Sequence, residues 1–141
     1  MLKIRNFNPK DADKCEQILR LNDQLPCPEI DGKEAMKRVY ERQGRYFLVA
    51  EENDSVVGLT RGTYDGSRAL MWELSVDPDY QSKGVGKGLM KELLTRFKED
   101  GAPTVSVTSL EKSREYYVKL GFEELPIKFM LADIDKVMKK L

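Results

Sequence analysis

The sequence predicts an α/β fold in one domain, with a mixed, mostly antiparallel sheet of about six to seven strands flanked by helices. Three observations carry that expectation. Between Tyr46 and Val76, strand-like runs follow one another across the turn signals "NDS" and "DGS", the pattern of an antiparallel meander. Beyond them Val85, Leu89, Leu93, Leu94 and Phe97 form a helical stripe, and another strand-like run follows. A strand–helix–strand passage of this kind is a right-handed crossover, which makes the sheet mixed. Finally, 141 residues with 40% hydrophobic and 34% charged content suit one core beneath a charged surface.

The elements follow in order. "LKIRNF" alternates and reads as a first strand. "NPKDADKCEQILRLN" reads as a helix, with Asn8 as its cap, Pro9 in its first turn, and Asp11 and Asp13 favouring its positive end. Ala12, Cys15, Ile18, Leu19 and Asn22 share one face of it. "DQLPCPEIDG" is a Pro-broken loop, and "DGKEAMKRVYERQG" a second helix stopped at Gly44. "YFLVAEE", "VVGLTRGTY" and "ALMWELSV" make the meander, which Asp77 and Pro78 end. A long helix then runs to about Asp100 and stops at Gly101. "PTVSVTSL" is a strand, "EKSREYYVKL" a short helix closed by Gly121, "FEEL" and "IKFML" two more strands, and "DIDKVMKKL" a terminal helix.

Composition excludes several functions. Lys+Arg and Asp+Glu both number 24, and this balance argues against a dedicated nucleic-acid binder. No apolar stretch approaches the roughly 20 residues that span a membrane. The N-terminus lacks a signal peptide's apolar block, so the expected compartment is the cytoplasm, with reduced thiols. Cys15 and Cys27 make neither a disulfide framework nor a zinc spacing. Histidine is absent, which removes Ser-His-Asp and Cys-His catalysis and the usual zinc sites. No metal is expected, and proton transfer falls to Glu, Asp, Tyr, Lys, Cys or water.

The stretch "YQSKGVGKGLM" places Gly84, Gly86 and Gly88 on alternate positions at the start of the long helix. It is not a Walker A loop: Gly88 follows Gly86-Lys87 where Ser or Thr is needed, and Gln81 stands where the first glycine belongs. It is not a dinucleotide fingerprint either, since Leu89 occupies the third glycine position. Two readings remain from these residues alone. Bare backbone at Gly84 and Gly86, a helix N-terminus, and Lys83 and Lys87 together suit a phosphate cradle. The same glycines would also serve a loop that only turns the chain.

The wider context, "LSVDPDYQSKGVGKGLMKELL", resembles the acetyl-CoA signature of the GNAT superfamily of N-acyltransferases. Leu74, Val76, Pro78, Tyr80, Gln81, Gly84 and Gly86 match its L-x-V, P-x-[YF] and [RQ]-x-x-G-x-[GA] positions. "SREYYVKLGF" is similar to the family's downstream block through Tyr116, Tyr117, Gly121 and Phe122. The resemblance implies one N-acetyltransferase domain over residues 1–141 that moves an acetyl group from acetyl-CoA directly to a primary amine of a small molecule or protein. It implies that the "ALMWELSV" strand splays from the "PTVSVTSL" strand, with the pantetheine arm pairing along Leu74, Ser75 and Val76. The pyrophosphate is then expected on Gln81, Ser82, Lys83, Gly84, Val85, Gly86 and Lys87, and the Val76 N–H near the thioester carbonyl. A homodimer is also expected. The alternative within the same fold is a catalytically silent acyl-CoA-binding sensor or interaction module.

Tyr117 matches the tyrosine that protonates the departing thiolate and touches the cofactor; as a plain helix residue it would share a core face with Ser113, Tyr116 and Leu120. Glu73 is the candidate base for the amine, and its other reading is a carboxylate facing solvent or paired with a cation. Two positions depart from the pattern. Leu110 replaces a cofactor-contacting Asn, which either weakens cofactor binding or shifts that contact to Ser109, and Val105 replaces a Glu of relatives that acetylate peptide N-termini. Asp23, Glu29 and Asp31 border the expected acceptor pocket and either hold a cationic amine or are simply solvated. Trp72 is expected to pack inward in alternation with Leu74 and Val76, and Arg61 and Arg68 to be surface strand residues.

Overall fold

In the computed structural model, which describes residues 1–141, strand β1 (Lys3–Asn6) enters a capped turn. The Asn8 side chain accepts from the Lys10 N–H at 3.1 Å, and the Asp11 carboxylate returns to the Asn8 N–H at 2.8 Å, a reciprocal capping box. Pro9–Asp11 form a 3-10 turn, and helix α1 (Ala12–Leu21) continues it. The loop that follows contains a short helix, α2 (Pro28–Asp31), where only a loop was expected. Helix α3 (Lys33–Gln43) leads into β2 (Phe47–Glu52), β3 (Ser55–Tyr64) and β4 (Ala69–Val76). Helix α4 (Val85–Glu99) crosses over to β5 (Val105–Val107).

The sheet has five strands in the order β1-β2-β3-β4-β5. Its first three pairings are antiparallel and the last, β4 with β5, is parallel. Helices cover both faces, as the alternation of a strand requires. Leu59 packs with Cys15, Ile18 and Leu19 of α1 and with Phe47 and Val49. Its neighbours point the other way: a Cβ on Gly58 would touch Leu89 and Val85 of α4 at 3.1 Å. Gly62, four residues on, repeats this, with α4's Phe97 so close that a Cβ would lie 2.7 Å from its ring.

The chain divides into two compact units, Met1–Thr108 and Ser109–Leu141. The second holds α5 (Arg114–Lys119), closed by Gly121 at φ 102°, and α6 (Ile134–Met138), capped by Asp133. The two strands expected at "FEEL" and "IKFML" do not form, which is why the sheet has five strands rather than about six to seven. Pro126 stands between them, removes a donor, and folds the Ile127 N–H back onto the Leu125 carbonyl at 2.8 Å. No helix is long and apolar enough to cross a membrane.

Candidate active site

The edge of β4 is the first part of the site. Strand β5 pairs only with Ala69, Leu70 and Met71, so the edge past Met71 is open. The Asp77 N–H bonds the Val57 carbonyl of β3 at 2.8 Å. Ladder alternation therefore turns the main-chain groups of Leu74 and Val76 away from β3, to the open edge, while Ser75 faces β3 and is buried. An extended, amide-bearing arm can pair with such an edge as an added strand would.

The second part is the turn from β4 into α4. The Asp77 carboxylate accepts from the Asp79 N–H at 2.9 Å and starts a 3-10 turn, Pro78–Tyr80. Ser82 (φ 63°) and Gly84 (φ 86°) then take left-handed backbone. At Gly84 the surrounding space is empty, so conformation and not crowding calls for glycine. No side chain caps α4, and the Gly88 N–H makes its bond to the Gly84 carbonyl at 3.0 Å. The N–H groups of Val85, Gly86 and Lys87 thus lack intrahelical acceptors at the positive end of a 15-residue helix. That arrangement suits an anion. Lys83 and Lys87 are exposed beside it, with the Lys83 Nζ 5.3 Å from the centre of the Tyr80 ring.

Asn22 ties these two parts together, and nothing in the sequence singled it out. At the end of α1 its amide donates to the Val76 carbonyl and to Ser75 Oγ, both at 2.8 Å. Gln81 Nε2 donates to the same Val76 carbonyl at 3.0 Å and to Asn22 Oδ1 at 3.2 Å. A signal was present only in part: an amide on the otherwise apolar face of Cys15, Ile18 and Leu19 needs partners when it is half-buried.

Glu73 lies across from Arg61 of β3. Their side chains keep only 9% and 11% of their surface, so Arg61 is not the surface residue expected. Arg61 Nη2 sits 2.6 Å from Asp31 Oδ1 and 3.4 Å from Glu73 Oε1. Arg61 Nε and Glu73 Oε2 approach to 3.1 Å, yet both are buried without a hydrogen bond. Burial pushes the Glu73 carboxyl up, Arg61 pulls it down and Asp31 pushes it up again, and the balance leaves it at about 8. Asp31 is therefore part of a buried cluster and not simply a solvated loop charge.

A register slip adjoins this cluster. Arg61 faces Glu73, but Gly62 faces Met71, so Trp72 is the extra residue of a β-bulge. The bulge breaks the alternation that would turn Trp72 inward. It is exposed instead, with its indole N–H donating to Thr63 Oγ1 at 3.1 Å.

Ser109 and Tyr117 belong to the second unit. Ser109 Oγ donates to the Leu110 carbonyl at 2.9 Å. The Tyr117 ring meets Tyr116 and Phe122 nearly edge-on, with centroids 5.3 and 5.4 Å away. Burial raises the Tyr117 pKa and Tyr116 adds to the rise, so the phenol keeps its proton at neutral pH.

The profile of the acetyltransferase (GNAT) family matches residues 15–122. The chain belongs to that family of enzymes. A Yersinia pestis (strain Pestoides F) protein described as an acetyltransferase is 30% identical over 132 aligned positions, covering 86% of this chain and 88% of the relative. Among solved structures, Ard1 from Thermoplasma volcanium superposes with a TM-score of 0.77 at 25% identity, over 86% of this chain and 82% of its own. An acetyltransferase of Trypanosoma brucei gives 0.70 at 25% identity, over 94% and 99% of the two chains. The fold is also that of the PaiA N-acetyltransferase from Thermoplasma acidophilum, solved with coenzyme A, at a TM-score of 0.75, 17% identity and 91% and 93% coverage.

Proposed function

We propose that residues 1–141 act as one N-acetyltransferase domain that carries an acetyl group from acetyl-CoA directly to a primary amine of a small molecule or protein. The observation that carries this reading is the open β4 edge running straight into an uncapped helix N-terminus. Leu74 and Val76 offer main-chain partners to an amide-bearing arm. The amides from Gln81 to Lys87, with the ammonium groups of Lys83 and Lys87, receive the diphosphate. Ser75 and Gln81 keep this edge in shape through Asn22, and Ser109 takes the contact left by Leu110.

The Val76 N–H holds the thioester oxygen as charge gathers on it. Glu73 takes a proton from the attacking ammonium, so that nitrogen has a lone pair when its bond to the carbonyl carbon forms. Tyr117 gives its phenol proton to the sulfur as the carbon–sulfur bond breaks, and the second proton that the nitrogen sheds as the amide forms restores the phenol. The products are the acetamide and the free thiol. The cytoplasm is the proposed compartment. We also propose a homodimer, supported by the exposed apolar residues Leu125, Ile127, Phe129, Met130 and Leu131; light scattering that returns only the mass of one chain overturns it.

Thiol release from acetyl-CoA against a panel of amines tests the enzyme reading, with isothermal titration of CoA beside it. Binding with turnover on at least one amine is expected. Binding without turnover across the panel would assign the chain to silent acyl-CoA-binding modules, and no binding at physiological salt removes both.

A further inference from the structure

We propose that Asp31 is a positioning residue for Glu73: by drawing the Arg61 guanidinium to itself, it leaves the Glu73 carboxylate free to accept a proton. The inference rests on the reading of Glu73 as the base and adds how that base is kept available.

A guanidinium beside one carboxylate normally forms two parallel N–H···O bonds with it. Arg61 does not do so with Glu73. Its short bond, 2.6 Å, goes from Nη2 to Asp31 Oδ1, whereas the same nitrogen is 3.4 Å from Glu73 Oε1. The Nε–Oε2 approach of 3.1 Å is misaligned, and both atoms are buried with no hydrogen bond elsewhere. One cation is thus divided between two carboxylates, and the more exposed of the two, Asp31 at 22%, has the better geometry. Arg61 Nη2 also reaches the Ile30 carbonyl at 3.5 Å, which reinforces its lean toward α2.

The consequence for Glu73 is chemical. A full bidentate pair would spend the carboxylate's lone pairs and favour its ionised form. The divided pair leaves it weakly held in a desolvated place, where a proton from an incoming ammonium is well received. The titratable groups acting on Glu73 are Arg61 from β3 and Asp31 from α2, and the Cys15 thiol on α1 in turn feels the Glu73 charge. Of these, Asp31 alone sits at the end of a four-residue helix, which Gly32 joins to α3. An acceptor or a partner that displaces α2 therefore alters the base without touching it.

The test is an NMR titration of the 13C-glutamate-labelled full chain, with the Glu73 carboxyl assigned through Glu73→Gln. Asp31→Asn is expected to lower the Glu73 midpoint by about one pH unit or more, as the direct push of the Asp31 carboxylate is lost and Arg61 closes onto Glu73. Arg61→Gln is expected to raise it. Asp31→Glu, which keeps the carboxylate, should restore a near wild-type midpoint, and melting curves confirm that each variant is folded. A midpoint unmoved by Asp31→Asn in folded protein overturns the proposal. The base reading fails on a different result, an unaltered pH–rate profile in Glu73→Gln, so the two failures are distinguishable.

Discussion

At the Glu73 carboxyl, burial and a guanidinium act with opposite sign, and burial is the larger. The native group releases its proton at about 8 and the unfolded one near 4.5. The stability contributed by the protonated native form is complete below about 4.5 and is lost as pH rises through about 8. Two measurements follow from the same shift. In kinetics, if Glu73 is the base as proposed, kcat/KM is expected to rise toward pH 8 as its carboxyl ionises, and Glu73→Gln is expected to lower it about 10²- to 10⁴-fold and remove that limb. In thermal melts, the loss of Tm across the same window is smaller in Glu73→Gln than in the parent. A parent whose Tm is flat there contradicts the raised carboxyl. Tyr117 gives a third measurement: Tyr117→Phe keeps its aromatic contacts with Tyr116 and Phe122 but loses the proton. It is expected to cut kcat about 10²-fold or more, a larger change than any in CoA affinity, and full retention of kcat on an active amine ends the acid role.

Among the elements, β3 and β4 show what a linear pattern conveys. Gly62 is needed because β4 and α4 both crowd it: a Cβ would stand 2.6 Å from the Leu70 carbonyl oxygen of β4 and 2.7 Å from the Phe97 ring of α4. The Leu70 backbone cannot retreat as a side chain can, so Gly62→Ala should cost about 1–3 kcal/mol, read as a fall in Tm; an unchanged Tm means that β4 does not lie against Gly62 as described. Asn22 joins α1 to the turn into α4. Asn22→Asp replaces two donated hydrogen bonds with a carboxylate facing the Val76 carbonyl. CoA should then bind about tenfold or more weakly, since a single unpaired buried polar group costs about 1–3 kcal/mol. Equal CoA affinity in the two proteins would leave Asn22 a purely structural cap. The meander, the crossover helix and the glycine turn were legible because each rests on local periodicity or on a residue type that the backbone demands. The Trp72 bulge was not, since it depends on the register that β4 takes against β3. Nor was the division of Arg61 between Asp31 and Glu73, which are 42 positions apart in the chain and meet only once α2 lies over the sheet. "FEEL" and "IKFML" have strand composition, but Pro126 and the lack of a paired edge outweigh it.

For the whole molecule the proposed function links the cradle, the open edge and Asn22 through the binding of one ligand. CoA that binds the native chain and not the unfolded one stabilises it by RT ln(1 + [L]/Kd), about 2.7 kcal/mol at a hundredfold excess over Kd. For a chain of 141 residues that corresponds to a rise in Tm on the order of 10 °C. The rise separates the parts of the site. Glu73→Gln and Tyr117→Phe leave the diphosphate cradle intact and should keep most of it. Asn22→Asp should lose a substantial share. Replacing Lys83 and Lys87 together by Gln should lose part of it in low salt and less in high salt, because exposed charges are screened. A parent chain whose Tm does not respond to millimolar CoA does not bind it at that concentration, and the reading of the α4 N-terminus as its diphosphate site falls.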